Sequence, residues 1–259
     1  MRRVFTYLPK KLRVALIIAG TIMGFGMFLL LIKTPPGRPS AVDLKPQPPV
    51  RQNKTFQPDN TVLPKQPTAP VVSKIDTKQP VVFLSLDDGQ QKDDRAVDFL
   101  KQRQWPVTLF LTDKYASENY NYFKKIEQNG ASIQNHTLSH VFLNDLTYNQ
   151  QKSEICGASD KANQVYGKRP TLLRPPGGFY DNNTQLAAYE CGIGAVVMWS
   201  AKVDGGNVQF QQGDHLVPGD IVLMHFRPKI MEDLAAFEAE IIKQGLYVAR
   251  LEDWIRIEP

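Results

Sequence analysis

Hydrophobic and polar positions alternate in blocks from residue 81 to the end of the chain. Short apolar runs predict seven strands: Val81–Leu86, Val107–Thr112, Ser132–Asn135, Leu172–Pro175, Ala195–Trp199, Ile221–Met224 and Tyr247–Leu251. Longer stretches between several of them predict helices: Asp94–Gln104, Tyr115–Asn129, Tyr148–Tyr166, Asn183–Cys191 and Ile230–Gln244. Strands that alternate with helices favour an α/β fold with a mostly parallel sheet, open or closed into a barrel.

The N-terminal pattern is different, because residues 14–32 form one run of 19 residues without a charge. About 20 apolar residues span a bilayer as a helix, whereas a cleaved signal peptide has an apolar core of about 7 to 15 residues. Residues 1–13 carry five basic side chains and no acidic one, which places the N-terminus in the cytoplasm. We therefore predict a cytoplasmic tail at 1–13, an uncleaved transmembrane signal anchor at 14–32 in the cell membrane, and an extracytoplasmic remainder. A cleaved signal peptide is the alternative.

Two glycines inside the anchor, Gly20 and Gly24, form a G-x-x-x-G pattern. This pattern lets two membrane helices approach closely, but glycine is also common in membrane helices that do not associate. Both a weak homodimer through the anchor and a single span are therefore left open.

Composition separates the anchor from the folded domain. Residues 33–80 are rich in Pro, Gln and Lys, and such a segment cannot bury enough apolar surface to fold. We predict a disordered, semi-stiff linker at 33–80 and a folded domain at 81–259. The net charge of +5 is modest and is densest beside the anchor, so it indicates a membrane partner and no nucleic-acid partner.

The chain has two cysteines, Cys156 and Cys191, both in the region predicted to lie outside the cytoplasm. An oxidising compartment permits a disulfide. Each cysteine falls in a predicted helix, so a disulfide and two separately buried thiols both remain open.

Residues with catalytic chemistry follow several predicted strands. Asp87 and Asp88 end the first strand, and His136, Arg174 and His225 follow later ones. In parallel α/β folds, functional residues collect at the carboxyl ends of the strands. These side chains are therefore expected at one edge of the sheet.

His136 and His140 are four residues apart, a spacing that on a helix would place both imidazoles on one face. Two histidines and one carboxylate are a common ligand set for a catalytic divalent metal, and a second carboxylate can take a proton from water. The alternatives are two unrelated polar side chains for the histidine pair and a plain turn for "DDG".

Four motifs occur in order: "SLDDG", "HTLSH", "RPPGG" and "LMH". Together they resemble the polysaccharide deacetylase family, the NodB-homology domain of carbohydrate esterase family 4, from Pro80 to about Trp254. The resemblance implies a distorted (β/α) barrel of about seven strands. It also implies a hydrolase that acts on carbon–nitrogen bonds and removes acetyl groups from N-acetylated sugars with a divalent metal. Zinc suits the ligand set best, and cobalt, nickel or iron would also fit.

The resemblance assigns a role to each motif residue. It implies that Asp88, His136 and His140 hold the metal. Asp87 would be the general base, oriented by Arg174, and His225 the general acid. Gly177 would donate its backbone N–H to the oxyanion, in place of a residue that is usually aromatic in the family. Leu223 would line the acetyl pocket, and Trp199 would contact the substrate.

One departure concerns the surroundings of His225. The family typically has an aspartate after the strand that ends at Trp199, whereas this chain has Lys202 there and Asp204 two residues later. Either Asp204 takes that role by a different loop path, or His225 is tuned by other groups. The leading hypothesis is a membrane-anchored deacetylase of a cell-wall polysaccharide at a bacterial surface, with peptidoglycan N-acetylglucosamine as the first candidate. A catalytically impaired carbohydrate-binding module on the same fold is the alternative.

Overall fold

The computed structural model describes residues 54–58, 61–63 and 67–257. The predicted cytoplasmic tail, the anchor at 14–32 and much of the linker lie outside the described residues. Within the described ranges, no helix is both long and apolar enough to cross a membrane.

Strands and helices alternate along most of the described chain. The strands are β1 Thr61–Leu63, β2 Val71–Val72, β3 Val81–Asp88, β4 Thr108–Leu111, β5 Ser132–Asn135, β6 Leu172–Leu173, β7 Ala195–Val197, β8 Ala201–Asp204, β9 Asn207–Phe210, β10 Ile221–His225, β11 Tyr247–Val248 and β12 Ile255–Ile257. The helices are α1 Asp94–Arg103, α2 Asp113–Ala116, α3 Tyr120–Glu127, α4 Tyr148–Tyr166, α5 Asn182–Glu190 and α6 Ile230–Gln244.

The main sheet has the strand order β2-β7-β6-β5-β4-β3-β10-β8-β9, with β11 also paired to β3. Its strands pair in parallel except for the antiparallel β8–β9 hairpin. β1 and β12 form a separate parallel pair. The sheet curls into a half-barrel with helices on its outer face, which agrees with the predicted α/β class and with a NodB-like barrel.

All seven predicted strands are present, with ends that differ by a few residues. The predicted helix Tyr115–Asn129 is instead two helices, α2 and α3. Asn119 causes the break, because its backbone leaves the helical region and its side chain caps the Tyr122 N–H at 3.2 Å. The β8–β9 hairpin was not predicted. Its turn is Gly205–Gly206, both at positive φ, which is a strong hairpin signal between alternating residues.

The folded domain begins before residue 80, so the predicted boundary between linker and domain is wrong. β2 adds to the sheet beside β7, and Ala69, Val72 and Ile75 are buried. Ile75 lies so close to Gly219 that a Cβ there would stand 1.9 Å from the Ile75 carbonyl oxygen. The proline-rich composition concealed this segment, because its few apolar residues are buried by strands that are distant in sequence.

Alternation along β3 explains how the core leads to a polar centre. Val82, Leu84 and Leu86 pack toward the helices on the outer face of the sheet. Val81 and Phe83 pack in a second cluster on the inner face, and the next two residues on that face are Ser85 and Asp87. The inner face therefore changes from apolar to polar toward the carboxyl end of the strand.

A disulfide joins Cys156 in α4 to Cys191 at the end of α5, with a Cα–Cα distance of 5.0 Å. Of the two alternatives left open by the sequence, the structure has the disulfide. It connects helices that pack against each other beside β5, β6 and β7.

We expect the disulfide to stabilise the domain by restricting its unfolded state. For cysteines 35 residues apart, loop-closure entropy gives about 3–4 kcal/mol, or a Tm shift of roughly 10 °C. Cys156→Ala/Cys191→Ala should therefore melt about that much earlier than the oxidised wild type. Reductant should lower the Tm of the wild type and leave that of the double variant unchanged. Equal melting of the oxidised wild type and the double variant would contradict the expectation.

Candidate active site

The predicted site residues do meet at one edge of the sheet. They come from the carboxyl ends of β3, β5 and β10 and from the loop after β6: Asp87, Asp88, His136, His140, Arg174 and His225. β10 lies beside β3 in a register that pairs His225 with Asp87. The parallel topology thus gathers residues that are up to 138 positions apart in the sequence.

Asp88 is the centre of a carboxylate–imidazole cluster. Its Oδ1 lies 3.3 Å from His136 Nε2 and 3.0 Å from His140 Nε2. Both Asp88 and His136 are buried, whereas His140 is partly exposed. The donor atoms of the three residues all lie within 4.8 Å of one another, as a shared cation requires.

The two histidines lie on a loop after β5, so the predicted helical explanation of their spacing is wrong. Thr137 and His140 have positive φ angles of 67° and 60°, which fold the loop back on itself. Asn135 Oδ1 accepts the Thr137 N–H at 2.9 Å, and Thr137 Oγ1 accepts the His140 N–H at 3.1 Å. These local bonds bring the imidazoles together with ring centroids 5.0 Å apart.

The protonation pattern of His136 favours a metal between these groups. Its Nδ1 lies 2.6 Å from the Arg174 carbonyl oxygen, which only accepts, so Nδ1 carries the proton. When the ring is neutral, its Nε2 presents a lone pair toward Asp88 Oδ1, a buried atom without a hydrogen-bond partner within the described chain. Separations of 3.0 and 3.3 Å match neighbouring ligand atoms held about 2.0–2.2 Å from one ion. Asp88, His136 and His140 therefore fit a divalent metal.

Electrostatics agree with this arrangement. Burial raises the pKa of Asp88, but the interactions of its carboxylate with the facing imidazoles of His136 and His140 outweigh that effect and hold the pKa far below its usual value. Burial lowers the pKa of His136, yet the facing carboxylates Asp88 and Asp87 raise it overall. The pocket thus stabilises a positive charge between Asp88 and the two rings.

Asp87 has a different partner. The Asp87 Oδ1 accepts from Arg174 Nη1 at 2.8 Å, while its Oδ2 is 3.9 Å from His136 Nε2. The Arg174 side chain is fully buried and also donates to Ser85 Oγ and to the carbonyl oxygens of Val197 and Met198. Burial lowers the pKa of Arg174, and the charge of Asp87 opposes that effect. Arg174 therefore holds the Oδ1 of Asp87, while the Oδ2 of Asp87 faces His136.

His225, Leu223 and Trp199 lie around this pair. His225 ends β10, and burial lowers its pKa while the charges of Asp87 and Asp88 oppose that shift. Leu223 is buried and points to the same face as His225, two residues before it. The Trp199 ring centroid is 5.8 Å from the Arg174 guanidinium carbon.

Asp204 does not take the place of the family aspartate. It is exposed at the end of β8, and its ion-pair partner is Arg227 at 3.9 Å. Lys202 is half-buried and lies next to Leu223 in the β8–β10 register. Within the described residues, no hydrogen bond or ion pair links Lys202 or Asp204 to His225, so His225 is tuned by burial and by the carboxylates of the centre.

Gly177 lies in a short turn after β6 at φ 64°. Its N–H has no hydrogen-bond acceptor within the described part of the chain. The space beside its Cα is filled by the rings of Phe142 and Phe179.

Sequence reasoning missed the residues that support the site. Ser85 accepts from Arg174 at 2.6 Å, and Asn135 braces the histidine loop while donating to the Ile155 carbonyl oxygen and Ser159 Oγ. The sequence did contain a sign of their role, because each is a polar residue within a predicted buried strand and a buried polar group needs a hydrogen-bond partner.

Comparison with known proteins assigns the chain to a family. Residues 74–196 match the family model described as polysaccharide deacetylase. An uncharacterized protein of Streptomyces coelicolor is 42% identical over 192 residues, which cover 72% of this chain and 77% of that protein. A peptidoglycan-N-acetylglucosamine deacetylase of Bacillus cereus is 25% identical over 205 residues, covering 74% and 95% of the two chains.

The fold is also shared with a CE4 family pseudoenzyme from Bacillus anthracis, with a TM-score of 0.62 and 16% identity over 73% of each chain. That likeness shows the fold alone, and the family assignment rests on the sequence matches. By those matches, the chain belongs to the polysaccharide deacetylase family, hydrolases that act on the amide bonds of acetylated polysaccharides.

Proposed function

We propose that this chain is a metal-dependent N-deacetylase that converts N-acetylglucosamine of peptidoglycan to glucosamine and acetate. The observation that carries the proposal is the Asp88–His136–His140 cluster beside the separately paired Asp87 and Arg174. One carboxylate faces two imidazoles, and the other faces a buried guanidinium. Adjacent acids thus have the different environments that metal binding and proton transfer require.

A divalent metal in this cluster, with zinc as the first choice, supplies Lewis acidity at the acetyl carbonyl and lowers the pKa of water. Asp87, held in place by Arg174, accepts the proton of the attacking water. The Gly177 N–H donates to the oxygen that becomes negative. His225 gives a proton to the departing nitrogen as the carbon–nitrogen bond breaks, which leaves acetate and an amine. Leu223 contacts the acetyl methyl group.

Peptidoglycan is proposed as the polymer for two reasons. The Bacillus cereus relative is named for that substrate. The predicted anchor at 14–32 and the proline-rich segment after it suit an insoluble wall polymer outside the membrane. Acetate release from a panel of wall polymers, with and without chelator, tests the proposal. No release by metal-loaded wild-type protein from any of them would overturn it.

A catalytically impaired carbohydrate-binding module is the second candidate. Lys202 in place of the family aspartate favours it, and the Bacillus anthracis pseudoenzyme has the same fold. Under this alternative, metal-loaded protein binds the polymer and releases no acetate. We favour the enzyme, because the candidate metal ligands Asp88, His136 and His140 are present together with Asp87, Arg174 and His225.

Metal removal should lower stability as well as activity. A ligand at about 100 times its Kd stabilises the folded state by about 2.7 kcal/mol. We expect the chelated protein to melt earlier and to regain its Tm and activity when zinc is added back. The His140→Ala variant is the control, and zinc should leave its Tm nearly unchanged. An equal response of this variant to zinc would place the metal elsewhere.

We also propose that residues 14–32 anchor the protein in the membrane. The support is the uncharged run itself and the basic residues before it. Full-length protein should sediment with membranes and resist extraction by salt and carbonate, and external protease should remove the catalytic domain from spheroplasts. A soluble, shortened product lacking the run would instead indicate a cleaved signal peptide.

A further inference from the structure

Two exposed phenylalanines lie near the candidate metal site formed by Asp88, His136 and His140. Phe142 and Phe179 keep 45% and 49% of their surface exposed. Their rings pack edge to face with centroids 5.0 Å apart and an interplanar angle of 62°. Contiguous exposed apolar surface beside a group of convergent polar residues is a candidate ligand-binding surface.

The pair is built around Gly177. A Cβ at Gly177 would stand 2.9 Å from Phe179 Cδ2 and 3.0 Å from Phe142 Cε1. Gly177 also has a φ of 64°, which disfavours a side chain. The glycine thus allows rings from two separate loops to meet over the turn that carries its free N–H.

Both rings are connected to the reacting centre through their own loops. Phe142 is two residues after His140, and the two line one hollow with Val141, Asp145 and Leu146. Phe179 is two residues after Gly177. A ligand on the two rings would therefore lie beside the sugar whose acetyl group reaches the candidate metal site.

The chemistry of the patch fits a pyranose. The C–H face of a sugar ring is apolar and packs on aromatic rings, while its rim carries hydroxyl groups. Asp145 is exposed in the same hollow, and no hydrogen bond or ion pair occupies its carboxylate within the described chain. It can accept a hydroxyl group at the rim.

We propose that Phe142 and Phe179 form a carbohydrate-binding platform for the sugar next to the one being deacetylated. This inference rests on the proposed function for the identity of the polymer. Lipid is the competing occupant of an exposed aromatic pair, and the experiment below distinguishes the two.

The test measures binding apart from turnover. An N-acetylglucosamine tetrasaccharide is titrated by calorimetry into zinc-loaded Asp87→Asn protein, with and without Phe142→Ala/Phe179→Ala. We expect the double substitution to raise the Kd about 10-fold or more. Phe179→Trp should keep the affinity, and Ile242→Ala, at another exposed apolar residue, should leave it unchanged. Equal Tm values verify that the variants are folded.

A change in Kd of less than twofold would overturn the platform. So would a double variant that loses only its binding to phosphatidylglycerol vesicles. Wild-type protein that releases no acetate but binds the tetrasaccharide through these rings would overturn the proposed function and leave the platform intact. Acetate release by the wild type, together with an unchanged Kd of the double variant, would overturn the platform and leave the proposed function intact.

Discussion

Asp87→Asn should abolish most acetate release while leaving metal binding intact. Asn cannot accept a proton from water, and general base catalysis contributes typically about 10²–10⁴ in rate. The substitution keeps the size of the side chain. It also keeps an oxygen that can accept from Arg174 Nη1, which lies 2.8 Å from Asp87 Oδ1 in the wild type. We therefore expect kcat to fall about 10²–10⁴-fold, with KM and zinc content nearly unchanged.

The matched control is Asp88→Asn, the same substitution at the neighbouring residue. Asp88 faces both imidazoles, so this change should reduce zinc content together with activity. Elemental analysis and acetate release on both variants separate the two carboxylates. If Asp87→Asn lost zinc and Asp88→Asn retained it, the proposed roles would be exchanged.

Arg174→Met should be the most destabilising single substitution at the site. The guanidinium is fully buried and donates to Asp87, Ser85 and two carbonyl oxygens. Methionine fills much of the volume but leaves Asp87 as a buried carboxylate without a cation. Removing one partner of a buried ion pair costs about 3–5 kcal/mol, which urea unfolding of the purified domain would measure.

The double variant Arg174→Met/Asp87→Asn tests the cause of that loss. Asparagine removes the uncompensated charge, so it should restore part of the stability in the Arg174→Met background. In the wild-type background Arg174 already balances the charge of Asp87. Asp87→Asn alone should therefore stabilise the protein less there than in the Arg174→Met background, or should destabilise it. Additive effects in this cycle would show that Arg174 acts through packing instead of through Asp87.

The sequence alone determined the elements and the chemical inventory. Apolar runs and their turn residues are local signals, so β3, β5 and β10 could be predicted within a few residues. The alternation of strands and helices indicated a parallel sheet, and parallel strands end at one edge. Asp87, Asp88 and His225 could therefore be expected together before any distance was known.

Local signals failed where distant strands or loop bonds decide the outcome. The segment around Ile75 looked like linker, because its burial depends on Gly219. The spacing of His136 and His140 suggested a helix, but bonds from Asn135 and Thr137 fold the segment as a loop. The same two ligands reach Asp88 by a different backbone path.

Tertiary structure also decided between alternatives that spacing could not separate. Cys156 and Cys191 are paired because α4 and α5 pack together. The sequence supplied the carboxylates, imidazoles and guanidinium in the right order, because side-chain chemistry is a local property. Three-dimensional packing between loops that are remote in the chain decides which of these groups face each other. The same packing brings Phe142 to Phe179 over Gly177.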